Sequence, residues 1–324
     1  MPYADTLHTD TPPTMDRPVF IVGCPRSGTG ILHQLARLHP HVAWITPVSN
    51  WVCGKSWFRA VPPRCAWHAE GVIHRLPNAL LPPLLRGPYD GSLGLPTVYE
   101  THEGHSIWNR VLPPADDHRA TAEAATPALR AELRDVARWH RRYHRRPRFV
   151  WKTPRNAFRI PFLHALFPRA YVVHLLRDGR AVAASILNRR RVDGAPQAWW
   201  GARPPGWRSK QSTTPIEQAA WTWRRSVAQV RADASSLPAD QVLELRYESL
   251  LRRPGAVMRR FFAATRLDPA RFFTAQTRRQ LDKVRPPRDT WRDRLRDDQI
   301  AALYDALGSS LAEYGYGDDA APPA

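Results

Sequence analysis

Val19-Phe20-Ile21-Val22-Gly23-Cys24-Pro25-Arg26-Ser27-Gly28-Thr29-Gly30 sets the fold, because a short apolar run leads straight into a glycine-containing loop. Ile31, Leu32, Leu35 and Leu38 follow at helical spacing. Strand, loop and helix in that order leave backbone N–H groups of the loop pointing into a concavity at the positive end of the helix. Such a concavity receives anions. A nucleoside-triphosphate loop would read G-x-x-x-x-G-K-[ST], but Gly28 is followed by Thr29 and Gly30. Both the lysine and the magnesium-binding hydroxyl are missing from their places, which argues against a kinase or nucleotide triphosphatase. The positive charge comes earlier, at Arg26.

Further strands flank this unit. Phe149 and Val150 lead to a turn at Thr153-Pro154 and a helix expected over residues 157–167, with Pro161 near its first turn. Residues 170–176 read as a fully buried strand, and Asp178 stands at a helix N-cap position ahead of Ala181, Val182 and Ile186. A fourth strand is expected over residues 242–247, before a helix near Pro254. Short apolar strands alternating with helices imply a parallel sheet covered on both faces. Leu129, Leu133, Val136, His140 and Tyr143 form one stripe of a helix over residues 128–146.

The chain has 324 residues, long enough for one large α/β domain with insertions. Residues 1–16 and the tail from 317 are polar or Pro-rich and expected to be disordered. Residues 47–127, dense in Pro, Trp, His and Gly, are expected to fold over the sheet as a cap. Residues 192–214, with Trp199, Trp200 and Trp207, are a second loop-like region that can border an acceptor. No apolar run has bilayer-spanning length, and residues 1–16 lack a signal-peptide pattern, so a soluble, cytoplasmic protein without integral membrane association is expected. Three cysteines, without the close pairing of a zinc site, fit a reducing compartment.

The formal charge of +19 is compatible with nucleic acid, an anionic membrane or an anionic small ligand. Nearly all of it is arginine, lysine occurring only at positions 55, 152, 210 and 283, a bias that a GC-rich genome produces unaided. No basic stretch is interleaved with aromatics as a single-strand-binding platform requires, so a nucleic-acid partner is not expected. The charge is best read as a field that draws in a multiply anionic cofactor.

Arg177-Asp178-Gly179-Arg180-Ala181-Val182-Ala183-Ala184-Ser185 follows the buried strand directly. Arg177 at a strand end and Ser185 on the next helix can converge on one phosphate, through a charged fork and a short hydroxyl donor.

These motifs resemble the sulfotransferases that use 3′-phosphoadenosine 5′-phosphosulfate (PAPS). The family loop has the form P-R-S-G-T-[TS] and a following helix ending near His-Pro. Pro25-Arg26-Ser27-Gly28-Thr29 and His39-Pro40 match it, whereas Gly30 departs from the usual Thr or Ser. The resemblance spans roughly residues 17–316 and implies a three-layer α/β sandwich with a mainly parallel sheet, similar to P-loop NTPases, with a cap over the acceptor site. It implies that Pro25, Arg26, Ser27, Gly28, Thr29 and Gly30 hold the 5′-phosphosulfate without a metal, and that Arg177 and Ser185 hold the 3′-phosphate. Arg246-Tyr247-Glu248 looks like the family's strand-end motif, in which the Tyr lies near the adenine; a tyrosine simply packed at a strand terminus is the other reading. Arg285 to Arg288, Trp291 and Gly315-Tyr316 are similar to the segment that closes over the 3′-phosphate.

Lys152 in Trp151-Lys152-Thr153-Pro154 matches a family lysine that neutralises the departing phosphate, although a solvated surface lysine is the alternative. A hydroxyl acceptor needs a general base. The family's His two residues after the lysine is Pro154 here, and its Glu about twenty residues beyond the loop arginine falls at Ile45-Thr46-Pro47. The substitutes are Glu103 and Glu100, then His105, in Tyr99-Glu100-Thr101-His102-Glu103-Gly104-His105, unless that run only pairs with arginines. A cap rich in Trp and His suits an aromatic, glycan, lipid or natural-product alcohol; the acceptor and the oligomeric state stay open.

Overall fold

The computed structural model describes residues 17–47, 49–50, 101–112, 116–286 and 290–317. Its apolar runs pair side by side as β1 (Val19–Val22), β2 (Val42–Ala43), β3 (Arg148–Lys152), β4 (Tyr171–Leu176) and β5 (Val242–Arg246). All are parallel, in the order β2-β3-β1-β4-β5. β1 is therefore central, with Ile21 beside Lys152 on one side and Val22 beside His174 on the other. A parallel strand covered on both faces has no solvent side, which is why β1 and β4 are apolar along almost their whole length.

Around the sheet run α1 (Thr29–Ala36), α2 (His105–Val111), α3 (Pro127–His144), α4 (Ile160–Leu166), α5 (Gly179–Val192), α6 (Pro215–Ala234), α7 (Tyr247–Arg252), α8 (Pro254–Ala264), α9 (Ala275–Leu281), α10 (Asp297–Leu307) and α11 (Ser310–Glu313). Alternate strand residues serve opposite layers. Phe20, Val22, Phe149 and Trp151 pack with α2, α3 and α4, while Val19, Ile21, Val150 and Val173 pack with α1, α7 and α8. A third cluster joins Cys24 and Leu176 to α5, α6 and α10, anchored by the fully buried Trp223.

Helix boundaries follow cap chemistry. Thr126 accepts from Leu129 N at 3.2 Å ahead of Pro127, and α3 stops where Arg145 turns left-handed at φ 53°, close to the expected span. The helix expected over 157–167 starts later. Residues Pro154–Phe158 form a 3-10 turn and α4 begins at Ile160, since Pro161 can sit in a first helical turn but cannot donate in the middle of a longer helix. Among the described residues, no helix is long and apolar enough to cross a membrane. The expected N-terminal tail, the C-terminal tail beyond Gly317 and most of the expected cap lie outside the described residues; the described remainder of the cap includes α2, whose Trp108 stacks on Trp151 of β3 with centroids 4.4 Å apart.

Candidate active site

At the carboxyl end of β1 the chain turns sharply, with Ser27 N donating to Cys24 O at 3.1 Å. Arg26 adopts φ 70° and Gly28 φ 87°, and Gly28 is the N-cap of α1. Gly28 is needed for conformation and for space, because a Cβ there would lie 2.2 Å from Cδ2 of Tyr247. Gly28→Ala is expected to cost at least about 1–2 kcal/mol in backbone strain alone, before the ring is displaced. It should lower the thermal midpoint by several degrees in calorimetry; an unchanged midpoint would mean the loop is not held in this shape.

Tyr247 is where the loop meets the second motif. The Arg177 guanidinium carbon lies 4.4 Å from the Tyr247 ring centroid, and Arg177 Nη1 donates to Arg26 O at 2.8 Å. Arg26 Nε in turn donates to Ser185 Oγ at 3.0 Å. The structure thus brings Arg26, Gly28, Arg177, Ser185 and Tyr247 into one contiguous group from β1, β4, α5 and α7. Behind it, Trp223 Nε1 donates to Arg177 O at 2.9 Å, and the Trp223 ring occupies the space a side chain at Gly179 would need. Glu248 ties the same corner together, accepting from Asp178 N at 3.0 Å and from Tyr316 Oη at 2.9 Å. Burial and then Glu248 push the Tyr316 hydroxyl upward, so it stays a proton donor.

Next to this group lies a cleft of roughly 310 Å³, lined among others by Arg177, Ala184, Tyr247, Leu251, Pro286 and Trp291. Its lining combines Arg177, Arg252 and Arg294 with the carboxylates of Asp178 and Glu248 and with the apolar and aromatic surfaces of Ala181, Leu251, Tyr247 and Trp291. The sequence placed Arg285 here as well, yet its side chain is exposed and folds back with Nε donating to Asp282 O at 3.1 Å; its neighbours Pro286 and Trp291 face the cleft instead. Arg288 lies outside the described residues. Gly315 serves as packing, because a Cβ there would come 2.6 Å from Arg246 Nη2, whose guanidinium donates to Tyr314 O at 2.9 Å.

Lys152 ends β3, one strand over from the loop. Only 8% of it is exposed, so it is not a solvated surface lysine. Its Nζ bonds the Glu103 carboxylate, whose other oxygen lies 2.9 Å from His105 Nε2. Glu103 is aimed by its backbone: Trp151 Nε1 donates to Glu103 O at 3.0 Å, His102 N donates to Ile45 O at 2.8 Å, and Gly104 turns left-handed at φ 70°. Burial opposes ionisation of Glu103, but Lys152 and His105 together outweigh it and hold the carboxyl well below its usual range. Burial, then Lys152, drives the nearby His33 down to about 3, and burial with His105 drives His102 down to about 4. Both imidazoles are neutral around an ionised carboxylate. Among the base candidates, Glu103 touches Lys152 and His105 touches Glu103; Glu100 lies outside the described residues.

The loop at 199–202 leans on the anion loop, since a Cβ at Gly201 would lie 3.1 Å from Pro25 Cγ. The Arg26 guanidinium lies 6.0 Å from the Trp200 ring centroid. Sequence reasoning missed His33 behind Lys152 and Glu248 behind Arg177. The Tyr-Glu pair at 247–248 was the available signal for Glu248; a histidine on the buried face of α1 gave none for His33.

Comparison with known proteins supplies the context for this geometry. Residues 18–270 match the model of the Sulfotransferase family. Nodulation protein NoeE of Sinorhizobium fredii is 26% identical over 316 residues, covering 92% of this chain and 65% of that protein. Protein-tyrosine sulfotransferase A of Caenorhabditis elegans is 23% identical over 323 residues, covering 94% of this chain and 68% of that protein. The chain therefore spans about two thirds of the length of these curated relatives. The crystal structure of sulfotransferase STF9 from Mycobacterium avium covers 92% of this chain and 77% of its own at a TM-score of 0.55 and 18% identity, a likeness of fold.

Proposed function

The chain belongs to the sulfotransferase family, and from that premise we propose that it moves the sulfuryl group of PAPS onto an acceptor hydroxyl by in-line displacement, with no metal in any step. The observation that carries this reading is the convergence of Arg26, Arg177, Ser185 and Tyr247 beside a single cleft. A nucleoside with phosphate groups at both ends needs two anion sites joined by an aromatic and apolar bed, and the residues present fit that need. Backbone N–H groups of the loop and the start of α1 face the 5′ end. Arg177 and Ser185 supply a charged fork and a hydroxyl for the 3′-phosphate, and Tyr247 lies on the adenine side.

Sulfuryl transfer, like phosphoryl transfer, is governed by alignment and by neutralising charge on the leaving oxygen. In this reading the acceptor oxygen forms its bond to sulfur as the bond from sulfur to the 5′-phosphate oxygen breaks. The electron pair leaves on that phosphate, which Lys152 and Arg26 neutralise, and the acceptor proton passes to Glu103. Lys152 couples the two events: as its ammonium turns from Glu103 toward the leaving oxygen, the carboxylate loses the partner that kept it weakly basic. A kinase-like reading finds no support in the family or in a loop without the Walker lysine.

We treat residues 17–316 as one sulfotransferase domain with a cap at 47–127, and a cytoplasmic location remains part of the proposal on the cysteine pattern. The test is incubation of the protein with sulfur-35-labelled PAPS and fractionated acceptor extracts in excess EDTA. Label should move to an acceptor. Phosphate transfer from ATP with magnesium, with none of the label moving from PAPS, would overturn the reading.

Gly30 offers a smaller check. Nothing lies within 4 Å of where its Cβ would be, so a side chain fits. Gly30→Ser should gain about 0.5 kcal/mol of helix stability and add one hydroxyl toward phosphate. Calorimetry should show a few-fold tighter binding of 3′-phosphoadenosine 5′-phosphate (PAP); unchanged binding would place residue 30 away from the nucleotide.

A further inference from the structure

We propose that the acceptor carries an oxyanion, a carboxylate or a phosphate or sulfate ester, which docks against Arg155, Arg159, Arg203 and His118 beside the Glu103–Lys152 pair. This rests on the reading of that pair as the transfer site.

Three separate segments carry the group, and α2 supports it. Beyond Lys152 the 3-10 turn Pro154–Phe158 carries Arg155, whose Nη1 donates at 3.0 Å to Asn109 Oδ1 on α2, the helix that starts two residues after Glu103. Arg159 is 5% exposed, its guanidinium 5.2 Å from the Trp108 ring centroid on the same helix. Its Nε donates to His118 O at 3.2 Å, while its Nη1 is buried with no hydrogen-bond partner among the described residues. His118 and Arg203 are joined by two bonds, His118 N donating to Arg203 O at 2.9 Å and Arg203 N donating to His118 Nδ1 at 2.7 Å.

A ring nitrogen that accepts from a backbone N–H holds no proton, so the neutral His118 ring carries its proton on Nε2 as a donor. Burial, then Arg155, Arg159 and Arg203, press the His118 imidazole down to about 3, which keeps it neutral. Burial and Arg155 also lower the Arg159 guanidinium to about 10. The nearby carboxylates are engaged elsewhere among the described residues. Asp116 pairs with Arg208, Asp117 accepts from Arg119 N at 2.8 Å, and Glu103 holds Lys152 and His105. Arg159, buried with a spare N–H beside a neutral imidazole, is costly to a fold unless an anion completes it, and the half-buried Arg155 and the exposed Arg203, whose guanidinium lies 4.8 Å from the Trp207 ring centroid, add positive charge at the same place. The forked donors suit a planar carboxylate or a tetrahedral ester.

The test titrates PAP-saturated protein, by calorimetry, with matched pairs that differ in one anionic group. Glucuronate against glucose and 4-hydroxyphenylacetate against 4-hydroxyphenethyl alcohol probe carboxylate; glucose 6-phosphate against glucose probes the ester. The anionic member of at least one pair should bind about tenfold or more tighter. In the Arg155→Ala, Arg203→Ala double variant this preference should fall to about threefold or less, with PAP still binding as evidence of folding. If the double variant loses PAP binding, the exposed Arg203→Gln alone makes the comparison. Equal binding of neutral and anionic members, no binding by any anionic member, or a preference untouched by the substitutions each overturns the inference. Wild-type protein that binds PAP but shows no anion preference sinks this inference alone, whereas failure to bind PAP sinks the PAPS reading beneath it.

Discussion

Arg177→Ala is expected to weaken PAP binding about 100-fold or more, roughly 3 kcal/mol, with the free protein still folded and its thermal midpoint lowered by a few degrees. One side chain does three things at that corner. It brings positive charge to the cleft, it holds the anion loop through Arg26 O at 2.8 Å, and it covers the ring of Tyr247. Alanine removes all three, whereas Arg177→Lys keeps the charge without the planar fork and should recover only part of the affinity. Isothermal titration with PAP in EDTA reads both variants. A loss of less than about threefold in Arg177→Ala would remove Arg177 from the nucleotide site.

Glu103→Gln should lower the turnover number by about 10²- to 10⁴-fold, the range of general-base removal, while PAP affinity stays near wild type. Glutamine keeps the shape and can still accept from Lys152, so the loss reports proton transfer and not collapse of the pair. Lys152→Ala should act on the same step, and the double variant should lose less than the product of the two single losses, because the two side chains are in contact. The pH dependence follows in sign from the depressed carboxyl. In the free protein Glu103 is already ionised throughout the ordinary carboxylate range, so wild-type kcat/KM should show no acidic limb from Glu103 in that range. The same depression adds stability above the unfolded carboxyl's pKa, lost as pH falls through the folded value; Glu103→Gln forfeits it at neutral pH. A Glu103→Gln enzyme with wild-type turnover would move the general base elsewhere.

How much was legible depends on whether residues act within one segment or across several. β1 and β4 are buried on both faces, so their composition alone marks them, and loop and helix chemistry follow locally. Arg177 and Ser185 share one strand–helix unit, which made both readable as candidates from one segment, while the contact of each with Arg26 spans more than 150 positions. β2 has only two residues and leaves no periodic signature. The start of α4 was misread by three residues because Pro161 tolerates both an early and a late start in sequence, and only packing selects the late one. Glu103 was ranked beside Glu100; its contact with Lys152, 49 positions away, depends on the left-handed turn at Gly104 and the bond from Trp151. His118, Arg155, Arg159 and Arg203 were hidden among the many arginines, since each looks like solvated charge until the turn after Lys152 and the loop at 203 bring them together.

The most direct test of the central claim compares PAP with adenosine 5′-monophosphate, which lacks only the 3′-phosphate, by titration calorimetry in EDTA. PAP should bind about 100-fold or more tighter than the monophosphate, and Arg177→Ala should close most of that gap. Equal affinity for the two nucleotides, or tighter binding of ATP with magnesium, would contradict the account.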